Sequence, residues 1–190
     1  MKDGDKKAEK LDILGMDEKD LRREVLELWR GSGKISRIKA RGMSMEPLIK
    51  EGDEVIIKHS GVPGFGDIIL FDGSEGLVVH RVIGKKIDKG QTYILEKGDS
   101  SPASTIIPEE KVLGIVIGIE KACSERSESN GKIIRLDSTL SKLVGKALAI
   151  YSLLSFKILL RYNIKPPRSL SVIFSFPRKF LAWIVKASKG

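Results

Sequence analysis

Between Lys34 and Lys121 the chain is a succession of short β-branched runs punctuated by glycine, and this pattern constrains the fold more than any other feature. The runs are Glu54-Val-Ile-Ile-Lys58, Asp67-Ile-Ile-Leu-Phe71, Leu77-Val-Val-His-Arg-Val-Ile83, Thr92-Tyr-Ile-Leu95 and Val112-Leu-Gly-Ile-Val-Ile-Gly-Ile119. Ahead of them Ile35, Arg37 and Lys39 alternate with Ser36, Ile38 and Ala40, the two-residue period of a strand. Glycine turns separate the runs at Glu51-Gly-Asp53, Pro63-Gly-Phe-Gly66, Asp72-Gly73 and Lys97-Gly-Asp99. Short strands at near-regular spacing predict a mainly β sandwich or barrel-like domain. No helical crossover pattern intervenes, which argues against a parallel α/β sheet.

The flanks read differently. Residues 1–33 form an N-terminal extension with a short helix expected over Asp17–Arg30, stopped by Gly31 and Gly33. The β domain is assigned to 34–121, a polar linker or exposed hairpin edge to 122–137, and a helical tail to 138–190. Pro166-Pro167 divides that tail. The single cysteine, Cys123, sits in the polar stretch, so no intrachain disulfide is available. The first 30 residues are charged throughout, and no signal peptide or N-terminal anchor is expected.

The net charge of +9 is concentrated at one end. From Ser138 to Gly190 there are seven lysines, three arginines and no acidic residue, which leaves −1 for the first 137 residues. On a helical wheel Lys142, Lys146, Lys157 and Arg161 share about a 100° arc, and in the second segment Arg178, Lys179, Lys186 and Lys189 share a similar arc opposite Leu181, Ile184 and the flanking aromatics Phe180 and Trp183. Cations on one stripe with apolar residues elsewhere describe helices lying on an anionic membrane surface. The alternative is a helical hairpin packed on a partner. Nucleic acid is not expected as a partner, because the apolar load between the basic residues is too great.

The stretch with chemical content is Arg41-Gly-Met-Ser-Met-Glu-Pro-Leu-Ile49. Gly42 lets backbone approach a substrate carbonyl, Pro47 stiffens the turn, and Met43 and Met45 are expected to shape an apolar substrate and oxyanion region around Ser44. A serine needs a base to take its proton. Of the two histidines, His80 lies in an apolar strand pattern, while His59 before a Ser-Gly turn looks solvated. Asp99 in Lys97-Gly-Asp-Ser-Ser101 either orients the histidine or holds its loop. Spacing alone leaves a merely structural histidine open. Two histidines and one cysteine without clustered spacing predict no metal, and no glycine-rich phosphate loop is present, so no cofactor is expected.

Six blocks in order resemble the signal peptidase I and LexA-like serine peptidase superfamily. They are Gly42-Met-Ser-Met-Glu-Pro47, Glu51-Gly-Asp53, Gly66-Asp-Ile-Ile-Leu-Phe71, His80-Arg-Val-Ile83, Lys97-Gly-Asp99 and Val112-Leu-Gly114. The resemblance implies a LexA/signal-peptidase-like β-ribbon or barrel domain, flanked here by an N-terminal helix and C-terminal amphipathic helices. Histidine rather than lysine at position 80 places the chain nearest the archaeal and endoplasmic-reticulum subgroup. By resemblance Ser44 is the nucleophile, His80 the base and Asp99 the third member, with a peptide or preprotein cut after a small residue. The block after Asp99 departs from the family in having no further acid. Membrane attachment is expected through the C-terminal segment. A cytoplasmic processing enzyme of the same fold and an inactive binding module are the competing readings.

Overall fold

A computed structural model describes residues 24, 26–101, 103–122 and 133–161. The strands are β1 (Ile35–Lys39), β2 (Glu54–Lys58), β3 (Ile68–Gly73), β4 (Gly76–Asp88), β5 (Gln91–Lys97), β6 (Ser104–Pro108), β7 (Val112–Glu120) and β8 (Ile133–Arg135), followed by helix α1 (Thr139–Arg161). All pairings are antiparallel, in the order β1-β2-β7-β3-β4-β5-β6, with β8 added beside β7. The mainly β expectation holds. Of the helix expected over Asp17–Arg30, residues 26–29 are helical, and 1–23 and 25 lie outside the described residues.

The period-two pattern explains how one sheet serves two cores. Four successive residues of β3 are buried. Ile68 and Leu70 enter a cluster with Val55, Ile57, Leu113 and Ile119, whereas Ile69 and Phe71 enter a second with Val82, Ile94 and Ile107. Successive side chains point to opposite faces, so a strand buried on both reads as a continuous apolar run. Strand β4 changes partner along its length: residues 76–81 pair with β3 and residues 81–88 with β5. His80 and Arg81 sit at that change.

Two further strands complete the sheet, one unexpected and one within the stretch read as a linker or hairpin edge. Residues 104–108, for which no strand was expected, form β6 on the sheet margin, and residues 133–135 form β8 with Ile134 buried in the first core, in keeping with the hairpin-edge alternative. Both are short, and β6 carries Ser104 and Thr105 and ends in Pro108, a composition that hides an edge strand. Cys123 lies outside the described residues.

Helix α1 starts with Ser138 as its cap. Its Oγ accepts the Ser141 N–H at 3.3 Å, and its carbonyl accepts the Lys142 N–H at 3.0 Å. The helix turns a face of mainly small residues to the domain, with Ser141, Val144, Gly145, Leu148, Ala149, Ser152 and Ser155 buried. At the closest point a Cβ on Gly66 (φ +92) would lie 2.7 Å from the Lys146 nitrogen, and one on Gly145 would lie 2.9 Å from the Gly66 oxygen. Two glycines therefore bring the helix and the turn before β3 into backbone contact. Val144 and Leu148 on this face belong to the first core. Among the described residues no helix is long and apolar enough to cross a membrane.

Candidate active site

Ser44 sits in the loop between β1 and β2. Hydrogen bonds at the loop's base close it, from Ala40 N–H to Asp53 O at 2.7 Å and from Gly52 N–H to Ala40 O at 3.0 Å. Within it Glu46 N–H reaches Met43 O at 3.1 Å and Ile49 N–H reaches Met45 O at 3.0 Å, and the Glu46-Pro47 bond is cis. Met45, Leu48 and Ile49 plug the first core and anchor the loop. This corrects the expectation for Met45, whose side chain is buried in the core rather than lining the serine. Met43 is exposed beside Ser44, and Gly42 adopts φ +78, the left-handed turn that glycine allows.

Asp53 fixes the far end of the same loop. Its carboxylate accepts the Lys50 N–H at 2.8 Å, the Lys121 ammonium at 2.5 Å and the Ala122 N–H at 3.1 Å. Burial pushes its pKa up, but the hydrogen bonds from Lys121, Lys50 and Ala122, with the Lys121 charge, outweigh that and leave it below the ordinary value. Lys121 also donates to Leu48 O at 2.5 Å, tying the loop to the end of β7.

The second wall comes from β4, β5 and the turn after β5. The Ser44 hydroxyl donates to His80 Nε2 at 3.1 Å. On the other side of the ring, Nδ1–H donates to Glu96 Oε2 at 2.5 Å. A carboxylate only accepts, so Glu96 fixes the tautomer with its proton on Nδ1 and leaves the Nε2 lone pair facing the serine. The His80 side chain is 19% exposed and that of Glu96 4%. Glu96 is thus a buried acid with its partner in place.

Sequence reasoning missed Glu96 and named Asp99 as the third member, with loop-holding as its alternative role. Asp99 does not take that position, because both its oxygens are used by Arg81: Nε to Oδ1 at 2.8 Å and Nη2 to Oδ2 at 2.6 Å. The pair is buried, and Arg81 Nη1 also donates to Gly66 O at 2.9 Å. Neighbours on β4 point to opposite faces, so the imidazole meets the serine while the guanidinium meets Asp99 and the turn beneath α1.

The turn holding Asp99 also grips the serine loop. Ser100 N–H donates to Ser44 O at 2.8 Å and its hydroxyl to Met43 O at 2.5 Å. A Cβ at Gly98 would lie 2.8 Å from Ser44 O, 3.0 Å from His80 Nε2 and 3.1 Å from Ser44 Cβ. Only glycine lets that backbone lie against the pair.

His59, expected to be solvated, is buried instead. Its Nδ1–H donates to Leu113 O at 2.8 Å, Nε2 accepts from the Ser36 hydroxyl at 2.7 Å, and the ring lies 5.0 Å from Trp29. It is a satisfied core histidine. A cleft of about 210 Å³ beside it is lined by residues that include neither Ser44 nor His80. Lys142 and Lys146 are exposed on α1. Lys157 and Arg161 lie on the same helix without described side chains, and Arg178, Lys179 and Trp183 lie outside the described residues.

Comparison with known proteins adds one match. A family model described as Peptidase S24-like covers residues 7–117. No curated protein matches the chain.

Proposed function

The chain belongs to the Peptidase S24-like family, which includes serine peptidases, and from that premise we propose that it is a serine endopeptidase with Ser44 as nucleophile, His80 as general base and Glu96 as the acid that orients the base. The observation that carries the proposal is the continuous run of hydrogen bonds from Ser44 through His80 to Glu96. A hydroxyl, an imidazole with its lone pair toward that hydroxyl and a carboxylate behind the ring are the parts a proton-relaying nucleophile requires.

In the reaction Ser44 Oγ attacks the scissile carbonyl while its proton passes to His80 Nε2. The imidazolium so formed is neutralised across the ring by Glu96. The tetrahedral oxyanion is met by backbone N–H groups of the serine loop, that of Ser44 among them. His80 then returns the proton to the leaving amine; water, deprotonated by the same ring, attacks the acyl carbonyl, and His80 gives that proton to Ser44 Oγ as the acid product departs.

The finer reading is cleavage of signal or leader peptides after small residues. It is supported by the Gly42-Met-Ser-Met-Glu-Pro47 motif and by the histidine at position 80. The test is cleavage of leader-like peptides that carry alanine before the cut. The wild-type chain should cut them, whereas Ser44→Ala and His80→Ala should not. His80→Lys probes the subgroup, since lysine serves as the base in relatives. An active Ser44→Ala protein would end the peptidase reading. A wild-type chain that cuts only its own sequence would end the leader-peptide reading alone.

A further inference from the structure

Helix α1 is arranged opposite to the usual surface helix. Its domain-facing side carries Ser141, Gly145, Ala149, Ser152 and Ser155 between Val144 and Leu148, while large aliphatic residues point away from the domain. Leu140, Leu143, Ile150 and Leu154 are 43%, 59%, 51% and 54% exposed. With Ala147, also exposed, they fall in about an 80° arc of the wheel. Single exposed leucines need no explanation, but a contiguous row does.

The rim of the row identifies its occupant. Lys142 and Lys146 are exposed and border the arc on one side. No acidic residue occurs from Ser138 to the end of the sequence, so no charge of opposite sign balances them on this helix. A second copy docking through the same face would set lysines against lysines. A surface that takes in aliphatic side chains while offering anionic groups at their margin fits both features. We propose that the outer face of α1 docks on an anionic phospholipid surface, with Leu143, Ile150 and Leu154 entering the acyl boundary and Lys142 and Lys146 at headgroup level. The proposal does not depend on the chemistry of Ser44.

The test is sedimentation of the full chain with phosphatidylcholine vesicles containing about 30% phosphatidylglycerol, compared with phosphatidylcholine alone. The chain should partition to the anionic vesicles and largely stay in solution with the neutral ones. Leu143→Ser with Ile150→Ser and Leu154→Ser should weaken partitioning by at least about tenfold. Lys142→Glu with Lys146→Glu should weaken it most at low salt. All of these side chains face outward, so thermal melts monitored by circular dichroism should match the wild type. No partitioning of the wild type overturns the proposal. So does unchanged partitioning of the triple serine variant, which would assign binding to residues after the helix. A dimer in the absence of lipid that the triple variant abolishes would assign the face to a second copy and likewise overturn it.

Discussion

Replacing Glu96 by glutamine separates the two acids near the site. His80 Nδ1 and Glu96 Oε2 are 2.5 Å apart, and the Glu96 side chain is 4% exposed. When the imidazole takes the serine proton, unit charges at that separation attract by roughly 7 kcal/mol at an effective dielectric of about 20. The ring is 19% open to water, which weakens the attraction, and about 4 kcal/mol is a working figure. That corresponds to about a thousandfold in rate. Glutamine adds a second fault, since its amide N–H can face Nδ1 and drive the proton to Nε2, where it blocks acceptance from Ser44. The expected loss in kcat is therefore about 10³- to 10⁴-fold, with KM and the thermal melt little changed. Asp99→Asn makes the contrast, because it breaks the buried pair with Arg81 and should destabilise the fold by about 3–5 kcal/mol. The assay is single-turnover peptide cleavage beside denaturant unfolding of both variants. Full activity in Glu96→Gln, or an Asp99→Asn protein of wild-type stability with activity lost, would refute the reasoning.

Gly98→Ala should lower kcat by about 100-fold by pushing Ser44 from His80, with the chain still folded; unchanged kcat would show that the turn is not in contact with the nucleophile as described. Gly66→Ala should destabilise by about 2 kcal/mol or more, since its φ of +92 is strained for alanine and its Cβ would strike the α1 backbone at Lys146; a melt equal to wild type would count against the helix packing. Asp53 has a folded pKa below its ordinary 3.8, so its contribution is fully present above that value and is lost as pH falls through the depressed one. Asp53→Asn should therefore cost about 2 kcal/mol at neutral pH, and the gap to wild type should shrink in urea titrations run below the ordinary carboxylate value; a gap independent of pH would contradict the assignment.

The β domain was legible because its strands advertise their period. Glu54–Lys58 was read to the residue, and the run of four apolar positions in β3 marks a strand buried on both faces. Strand β6 escaped because an edge strand needs little apolar content, and β8 was read only as linker or hairpin edge because three residues carry no period. Ser44 and His80 were legible as candidates by residue type, yet only the β3–β4 and β4–β5 pairings bring the histidine to the serine loop. Glu96 was missed because the neighbouring glycine-aspartate motif drew the assignment to Asp99. A signal was present: Glu96 stands two residues after buried Ile94 on the same strand face, and a carboxylate in such a place needs a partner. His59 was misread because a following turn suggested solvent, whereas its contacts with Trp29, Ser36 and Leu113 could not be seen in the local sequence.

The change of partner along β4 has a consequence for when this protein can act at all. His80 and Arg81 are adjacent, and alternation sends one toward the serine and the other toward Asp99. A slip of the strand by one position would put Arg81, a permanently protonated guanidinium, in His80's place at the serine and Val82 in Arg81's place against the buried aspartate. Such a chain has no acceptor for the hydroxyl proton and leaves a carboxylate stranded in the interior. Misaligned forms are thus unstable and lack the Ser44–His80–Glu96 run of hydrogen bonds, which forms only once the sheet has settled into its final alignment.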